Sequence, residues 1–302
     1  MHRPLMRAAM SEKRSLLPFA ATIAGIGLFT LMDAFVKSAS LSIGAFSALW
    51  LRSLIGLVLI GPVWWFATRR WPAPNVLRVH LVRGLVVSFM AYAFFFALVR
   101  LPMAEAIALS FIAPLIALML AAILLKERIG LPAIFAALLG LAGTFVIVGG
   151  RLGREAMTDD ALAGLVALAI SACLFAWNLV LQRQQALLAR PAEVATFQSL
   201  VMTAVYTLGL PWLFVMPDRQ AMIDVTAGAV LAVGAAMILS WAYARAEAQA
   251  LVPLEYTGFL WAALFGWLFF AERVTASTVA GAVLIVVACL IATRWRPEQS
   301  SV

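Results

Sequence analysis

Residues 97–129 read ALVRLPMAEAIALSFIAPLIALMLAAILLKERI, and residues 242–274 read AYARAEAQALVPLEYTGFLWAALFGWLFFAERV. The two stretches align without a gap when the first is shifted forward by 145 positions. Seven aligned pairs are identical, among them Arg100 with Arg245, Glu127 with Glu272, and Arg128 with Arg273. Polar landmarks that coincide in two otherwise apolar stretches indicate an internal repeat.

The composition of the whole chain is that of a membrane protein. Of the 302 residues, 65% are hydrophobic and only 12% are charged, whereas soluble domains are about 45–50% apolar and about 25% charged. A helix needs about 20 apolar residues to cross a bilayer. The chain therefore has room for many crossings with short connections, and an ordinary soluble domain is excluded.

Ten apolar runs form two groups of five around the polar stretch RLGREAMTDD at residues 151–160. Backbone polar groups in lipid need internal partners, so we expect every run to be a helix. The sequence thus predicts an all-α integral membrane protein with ten transmembrane helices, which we number as spans. The predicted spans are 16–36, 44–68, 79–99, 103–125, 131–149, 160–181, 193–216, 226–246, 250–270 and 274–293.

The predicted domain organisation follows from the repeat. Because each half has five spans, the second half enters the membrane in the opposite sense, and the repeat is inverted around a central cavity. Inverted halves that enclose a cavity are typical of secondary transporters that work by alternating access. The predicted segments are an N-terminal segment 1–15, a first repeat 16–149, a periplasmic linker 150–159, a second repeat 160–293 and a C-terminal tail 294–302.

The distribution of Lys and Arg predicts the orientation. If both termini are cytoplasmic, 14 of the 22 basic residues fall on the cytoplasmic side and six on the other side. Cytoplasmic loops carry such an excess. This bias also accounts for the net charge of +8 without a nucleic-acid partner.

Two segments carry a family resemblance. Residues 101–130 have small residues after a Pro, a mid-span Pro114 and a Leu-rich end that closes with Glu-Arg; residues 248–275 have Pro253 and the same ending. Both resemble the span 4 signature of the EamA family of the drug/metabolite transporter superfamily, although Phe259 takes the place of Pro114. The resemblance implies ten helices, a central cavity and transport of small metabolites such as amino acids, sugars, nucleosides or vitamins.

Ionisable residues inside the spans are functional candidates, because each costs at least about 2.5–3.5 kcal/mol to insert. Asp33 and Lys37 lie four residues apart on one helix face, where they can pair. Glu105 and Glu255 lie near the starts of spans 4 and 9 and are candidates for ion coupling. Arg83 is expected to reach water at a helix end by snorkelling.

Arg52 is the main candidate for substrate binding. It lies inside span 2 without a neighbour of opposite charge in sequence, and its planar fork suits a substrate carboxylate. A structural bridge to Asp33 or Glu105 is the alternative. The other substrate-binding candidates, which could equally pack the helices, are Trp50, Tyr92, Trp177, Asn178, Gln182, Trp241 and Tyr256.

Motifs for other chemistry are absent from the sequence. There is no HExxH, GxSxG or P-loop, and His2 and His80 are assigned outside the spans, His80 at the very start of span 3. Cys173 and Cys289 have no second ligand at metal-site spacing. We therefore expect no enzyme activity, no catalytic residues, no metal and no cofactor.

Together these features favour a secondary active transporter that moves a small metabolite across the bacterial inner membrane by alternating access, with export slightly favoured. An importer or exchanger of a ring-bearing metabolite is one alternative, and a channel or a non-transport membrane protein is another. The expected partners are a small-molecule substrate and the lipid bilayer, with proton or exchange coupling. The sequence leaves a monomer and a homodimer both open.

Overall fold

The computed structural model describes residues 16–113, 115–116, 131–152, 158–243, 245 and 251–294. These residues form ten α-helices and one 3-10 helix, so the predicted all-α fold is confirmed. The α-helices are Leu17–Thr68, Pro74–Arg100, Met103–Ser110, Leu131–Leu152, Asp159–Leu188, Pro191–Thr207, Leu210–Leu213, Arg219–Tyr243, Gly258–Phe270 and Ala276–Arg294, and the 3-10 helix is Val252–Thr257.

Spans 1 and 2 both lie within Leu17–Thr68, which bends sharply at Gly44. Gly44 has φ +77° and ψ 152°, a conformation that costs little only for glycine. Beyond the bend the chain runs back along span 1, so that Arg52 in span 2 meets Met32 in span 1. The two spans form a helical hairpin.

The first helix of each half packs against the third helix of the other half. Span 1 contacts span 8, where the Ser38 hydroxyl donates to the Asp224 carboxylate over 2.6 Å. Span 6 contacts span 3, where the Ser171 hydroxyl donates to the Met90 carbonyl over 2.9 Å. The two halves are therefore intertwined rather than side by side.

Spans 5 and 10 pack closely through small residues. A Cβ atom added to Gly140 would lie 3.6 Å from the Ala288 side chain, and one added to Gly143 would lie 2.7 Å from the Ile285 side chain. The shift of 145 residues converts 140 into 285 and 143 into 288, so each contact maps onto the other. Two contacts that are converted into one another by the repeat indicate a two-fold axis between the halves.

The equivalent spans 4 and 9 run in opposite directions. The backbone N–H of Met103, at the start of span 4, donates over 2.6 Å to the carboxylate of Glu272, just after span 9 ends. If the two helices ran parallel, the start of span 4 would lie near the start of span 9 instead. The repeat is therefore inverted.

Several helices suit a bilayer. In the described part of the chain, four are long and apolar enough to cross a membrane: Leu17–Thr68, Pro74–Arg100, Asp159–Leu179 and Arg219–Leu239. Shorter apolar helices accompany them, and large apolar side chains such as Phe66, Phe145 and Leu260 are 66–70% exposed. An outer surface of this kind is suited to lipid rather than water.

Candidate substrate site

Arg52 lies in the hairpin of spans 1 and 2 with poor hydrogen bonding. Its Nη1 donates to the sulfur of Met32 over 3.5 Å, and sulfur is a weak acceptor. Its Nε is buried and has no hydrogen-bond partner among the described residues. A buried donor without an acceptor is costly, so an oxygen placed beside Arg52 Nε would be bound favourably.

The surroundings of Arg52 come from both halves. Asp33 and Tyr206 belong to its electrostatic surroundings, although Asp33 forms no ion-pair contact with it within 4 Å. The Phe95 ring centroid lies 5.9 Å from the guanidinium carbon. Tyr206 is held in place because its hydroxyl donates to the Ser88 carbonyl over 2.7 Å. A guanidinium, a carboxylate, a phenol group and the Phe95 ring thus lie in one region of the protein.

Two other candidates of the first half have partners of their own. The indole N–H of Trp50 donates to the Thr207 hydroxyl over 3.0 Å, and its ring packs on Phe214. Tyr92 is half-buried, with its ring 6.2 Å from that of Phe96. Trp50 therefore fastens span 2 to span 7.

Asn178 belongs to a buried polar cluster that the sequence did not predict. Its side-chain oxygen accepts from Arg83 Nε over 2.9 Å, and Arg83 also donates to Gln185. Gln185 contacts His80, whose Nε2 lies 3.1 Å from the Glu193 carboxylate. The bundle end that contains this cluster is called the His80 end.

This cluster corrects two expectations. Arg83 is only 7% exposed and does not snorkel, because the amides of span 6 face it where span 3 packs against that span. His80 is 1% exposed and lies inside the helix Pro74–Arg100 rather than outside the spans.

The remaining candidates of spans 6 and 8 lie in other surroundings. Trp177 is 47% exposed, and Gln182 is exposed although it lies four residues from the buried Asn178. The Trp241 ring lies beneath the guanidinium of Arg245, 4.3 Å from ring centroid to carbon. The structure therefore does not bring these residues together with Arg52 as one site.

Lys37 pairs with a residue of the other half. Its ammonium contacts the Glu272 carboxylate and donates to the Leu101 carbonyl over 3.0 Å. This corrects the pairing of Lys37 with Asp33, for which the spacing on one helix had provided the argument. Glu272, which directly follows span 9, lies closer to the Lys37 ammonium than Asp33, one helical turn away. The bundle end that holds this pair is called the Lys37 end.

The two glutamates considered for ion coupling differ in burial. Glu105 is 6% exposed, and the Thr278 hydroxyl donates to it over 3.4 Å. Glu255 is exposed within the 3-10 helix. Glu105 is therefore the one held inside the protein.

Spans 4 and 9 both depart from α-helical geometry at equivalent positions. Phe111 and Ile112 donate their backbone N–H groups three residues back, just before the position of Pro114. The 3-10 helix Val252–Thr257 lies 145 residues further on, so a break is present although Phe259 replaces the proline. Broken helices at corresponding positions of inverted repeats are typical of transporter substrate sites.

An open apolar groove of about 380 Å³ lies on spans 9 and 10, with Tyr256 and Phe259 in its lining. Other lining residues, Leu260 and Val283, are 66% and 55% exposed. The groove contains no charged side chain among its lining residues. It therefore belongs to the outer apolar surface rather than to the Arg52 site.

The sequence patterns did not identify three residues that the structure places near the candidate charges: Glu272, Tyr206 and Phe95. Glu272 appeared in the sequence only as a landmark of the repeat. The presence of Glu-Arg at the same place in both halves could have marked it as a candidate. Tyr206 and Phe95 carried no signal, because nothing in sequence distinguishes an aromatic ring beside Arg52 from one that packs helices. In the part of the chain that the structure describes, no three His, Cys, Asp or Glu residues are grouped to hold a metal ion.

These features define a multi-pass, all-α membrane protein made of two related halves that run in opposite directions. The model of the EamA-like transporter family matches residues 17–149 and 162–294, two segments that are again 145 residues apart. The chain belongs to the EamA-like transporter family, as its sequence resemblance predicted. It is a transporter rather than an enzyme.

Two relatives of this chain are exporters. The chain is 30% identical over 273 residues to the pseudopaline exporter CntI of Pseudomonas aeruginosa, a match that covers 88% of this chain and 92% of the relative. It is 32% identical over 125 residues to the aromatic amino acid exporter YddG of Ancylobacter novellus, covering 41% and 40%. One solved crystal structure, 25% identical, superposes with a TM-score of 0.61 over 91% of this chain and 96% of the other.

Proposed function

We propose that this protein is a secondary carrier that exports a small metabolite across the bacterial inner membrane by alternating access. The observation that carries the proposal is the inverted relation of the halves, with the broken segments of spans 4 and 9 meeting where Phe111 contacts Tyr256. Two such halves can exchange conformations and so open a shared site to either side. The names of the relatives favour export.

The substrate is proposed to carry an anionic group, best a carboxylate, that Arg52 binds. The buried Nε without an acceptor supports this assignment, because a guanidinium binds two carboxylate oxygens at once. The Phe95 ring offers an aromatic face near it, and the phenol group of Tyr206 belongs to its electrostatic surroundings. A small acid with an apolar or aromatic body fits these surroundings.

Orientation and coupling complete the proposal. With the termini in the cytoplasm, the Lys37 end faces outward and the His80 end faces the cytoplasm. The excess of Lys and Arg on the cytoplasmic side supports this orientation. Asp33 beside Arg52 and the buried Glu105 are the candidates for proton or exchange coupling.

The test begins with the purified protein in detergent. A panel of metabolites that includes aromatic amino acids is screened for thermal stabilisation, and the compound with the largest shift is labelled for counterflow in proteoliposomes. We expect saturable uptake that is stimulated by the unlabelled compound on the opposite side. Flux that neither saturates nor responds to the opposite side would indicate a channel and contradict the proposal.

Direction is tested with the same compound in vesicles of both orientations. An exporter accumulates it in everted membrane vesicles and not in right-side-out ones under the same energisation. The reverse pattern would establish an importer and contradict the export assignment.

A further inference from the structure

The ion pair of Lys37 with Glu272 joins the two halves inside the protein. Lys37 directly follows span 1 within the helix Leu17–Thr68, and Glu272 follows span 9. Their side chains are only 4% and 19% exposed. A pair this sheltered is screened by water far less than a surface pair, and breaking it by removing one partner is strongly unfavourable.

The same two side chains hold the start of span 4. The Lys37 ammonium donates to the Leu101 carbonyl over 3.0 Å, and the Glu272 carboxylate accepts from the Met103 backbone N–H over 2.6 Å. The ammonium also lies 4.7 Å from the centroid of the Phe270 ring. Spans 1, 4 and 9 therefore cannot separate at this end while the pair is intact.

A glycine makes room for the carboxylate. A Cβ atom added to Gly266 would lie 2.7 Å from Glu272 Oε2 and 3.5 Å from the Met103 side chain. The absence of a side chain there lets the carboxylate sit between spans 9 and 4. The packing of spans 9 and 4 thus leaves room for the ion pair of Lys37 with Glu272.

The other half lacks the cation at the corresponding position. A shift of 145 residues places Gln182 where Lys37 stands, and Gln182 is uncharged and exposed. A charge-assisted contact is about twice as strong as one between neutral groups. The second half therefore does not repeat the cation of this pair at the equivalent position.

We propose that the pair of Lys37 with Glu272 is a latch that holds the extracytoplasmic end closed and sets the resting carrier in the state that loads from the cytoplasm. The inference rests on the proposed function for its reference to transport and on the predicted orientation for the side. In an alternating-access carrier the pair must break before release. Lys37 and Glu272 are then positioning residues, which need not touch the substrate.

The test measures how easily the seam between spans 4 and 9 opens. The background carries Cys173→Ala and Cys289→Ala. In it, Met103→Cys replaces a buried side chain, and the introduced thiol is labelled with a membrane-impermeant maleimide in right-side-out vesicles. Lys37→Met and Glu272→Gln are expected to raise the labelling rate about tenfold or more. The double variant should give an effect similar to each single one, because all three remove one latch.

Asp160→Asn is the matched control. Asp160 pairs with Arg100 on the adjoining spans 3 and 6, but its side chain is 71% exposed. Its neutralisation should leave labelling within about twofold, since exposed pairs contribute little. Unchanged labelling in the latch variants, or an equal increase in Asp160→Asn, would overturn the proposal.

The design separates folding and transport from the latch. The double variant leaves no stranded charge, so it decides the question if a single variant fails to fold in a thermal-unfolding control. Labelling needs no substrate. If the parent protein shows no counterflow, but labelling still becomes faster in the latch variants and not in Asp160→Asn, the proposed transport function is contradicted and the latch is supported.

Discussion

The ring of Phe111 packs edge-to-face against the ring of Tyr256, with centroids 5.1 Å apart. The two residues occupy the same position of their respective halves, because they are 145 residues apart. A contact between equivalent residues lies on the two-fold axis that relates the halves. The halves of this transporter therefore meet where spans 4 and 9 both depart from α-helical geometry.

The first prediction concerns this aromatic contact. Phe111→Ala and Tyr256→Ala should each lower the unfolding temperature in detergent, and the double variant should lose less than the sum. We expect a coupling of about 0.5–1.5 kcal/mol, typical of an aromatic pair. Tyr256→Phe keeps the ring and should keep most of the stability. Fully additive losses would mean that the rings do not stabilise one another.

Close packing of spans 5 and 10 gives the second prediction. A Cβ atom at Gly281 would lie 2.5 Å from the Gly143 carbonyl oxygen and 2.4 Å from the Ile147 side chain, so Gly281→Ala should destabilise by about 1–3 kcal/mol. Gly149→Ala is the control, since nothing lies within 4 Å of its added Cβ. Equal unfolding temperatures for the two variants would argue against this interface.

The buried cluster at the His80 end gives the third prediction. Asn178→Ala removes the acceptor of Arg83 Nε and should cost about 1–3 kcal/mol, because a buried charged donor loses its partner. Gln182→Ala, four residues further along the same helix, changes an exposed side chain and should have little effect. Thermal unfolding of both variants in one detergent compares them directly. A larger loss for Gln182→Ala would refute the assignment of burial.

The fourth prediction concerns transport. Arg52→Ala should abolish counterflow while the protein still inserts and purifies normally, because the substrate anion loses a charge-assisted contact; we expect a rate at least about 100-fold lower. Arg100→Gln, which removes an arginine that pairs with the exposed Asp160, should transport at close to the parent rate. Normal counterflow by Arg52→Ala in proteoliposomes would end the role assigned to Arg52.

Much of the fold could be predicted because it follows from a repeat. The pairing of Phe111 with Tyr256 in the alignment relates the two residues by the two-fold axis, and their contact in the structure places them beside that axis. The number of spans follows from the ten apolar runs and from the limits that lipid sets on backbone hydrogen bonds. The opposite directions of the halves follow from the odd number of spans in each.

The partners of charged residues could not be predicted in this way. Spacing along one helix paired Lys37 with Asp33, whereas the structure pairs Lys37 with Glu272. Periodicity is uninformative in helices that are apolar on every face. It therefore gave no sign that Arg83 turns inward to amides or that Arg52 is left with a sulfur as its acceptor. Such choices depend on how the ten helices pack, which no single helix encodes.

The opposite orientation of the two halves is tested most directly by labelling equivalent positions from a known side. In a cysteine-free background, Arg100→Cys and Arg245→Cys are each treated with an impermeant maleimide in right-side-out vesicles, and then again after permeabilisation. The account predicts that Arg100→Cys reacts at once and that Arg245→Cys reacts only after permeabilisation. Reaction of both from the same side would contradict the inverted repeat.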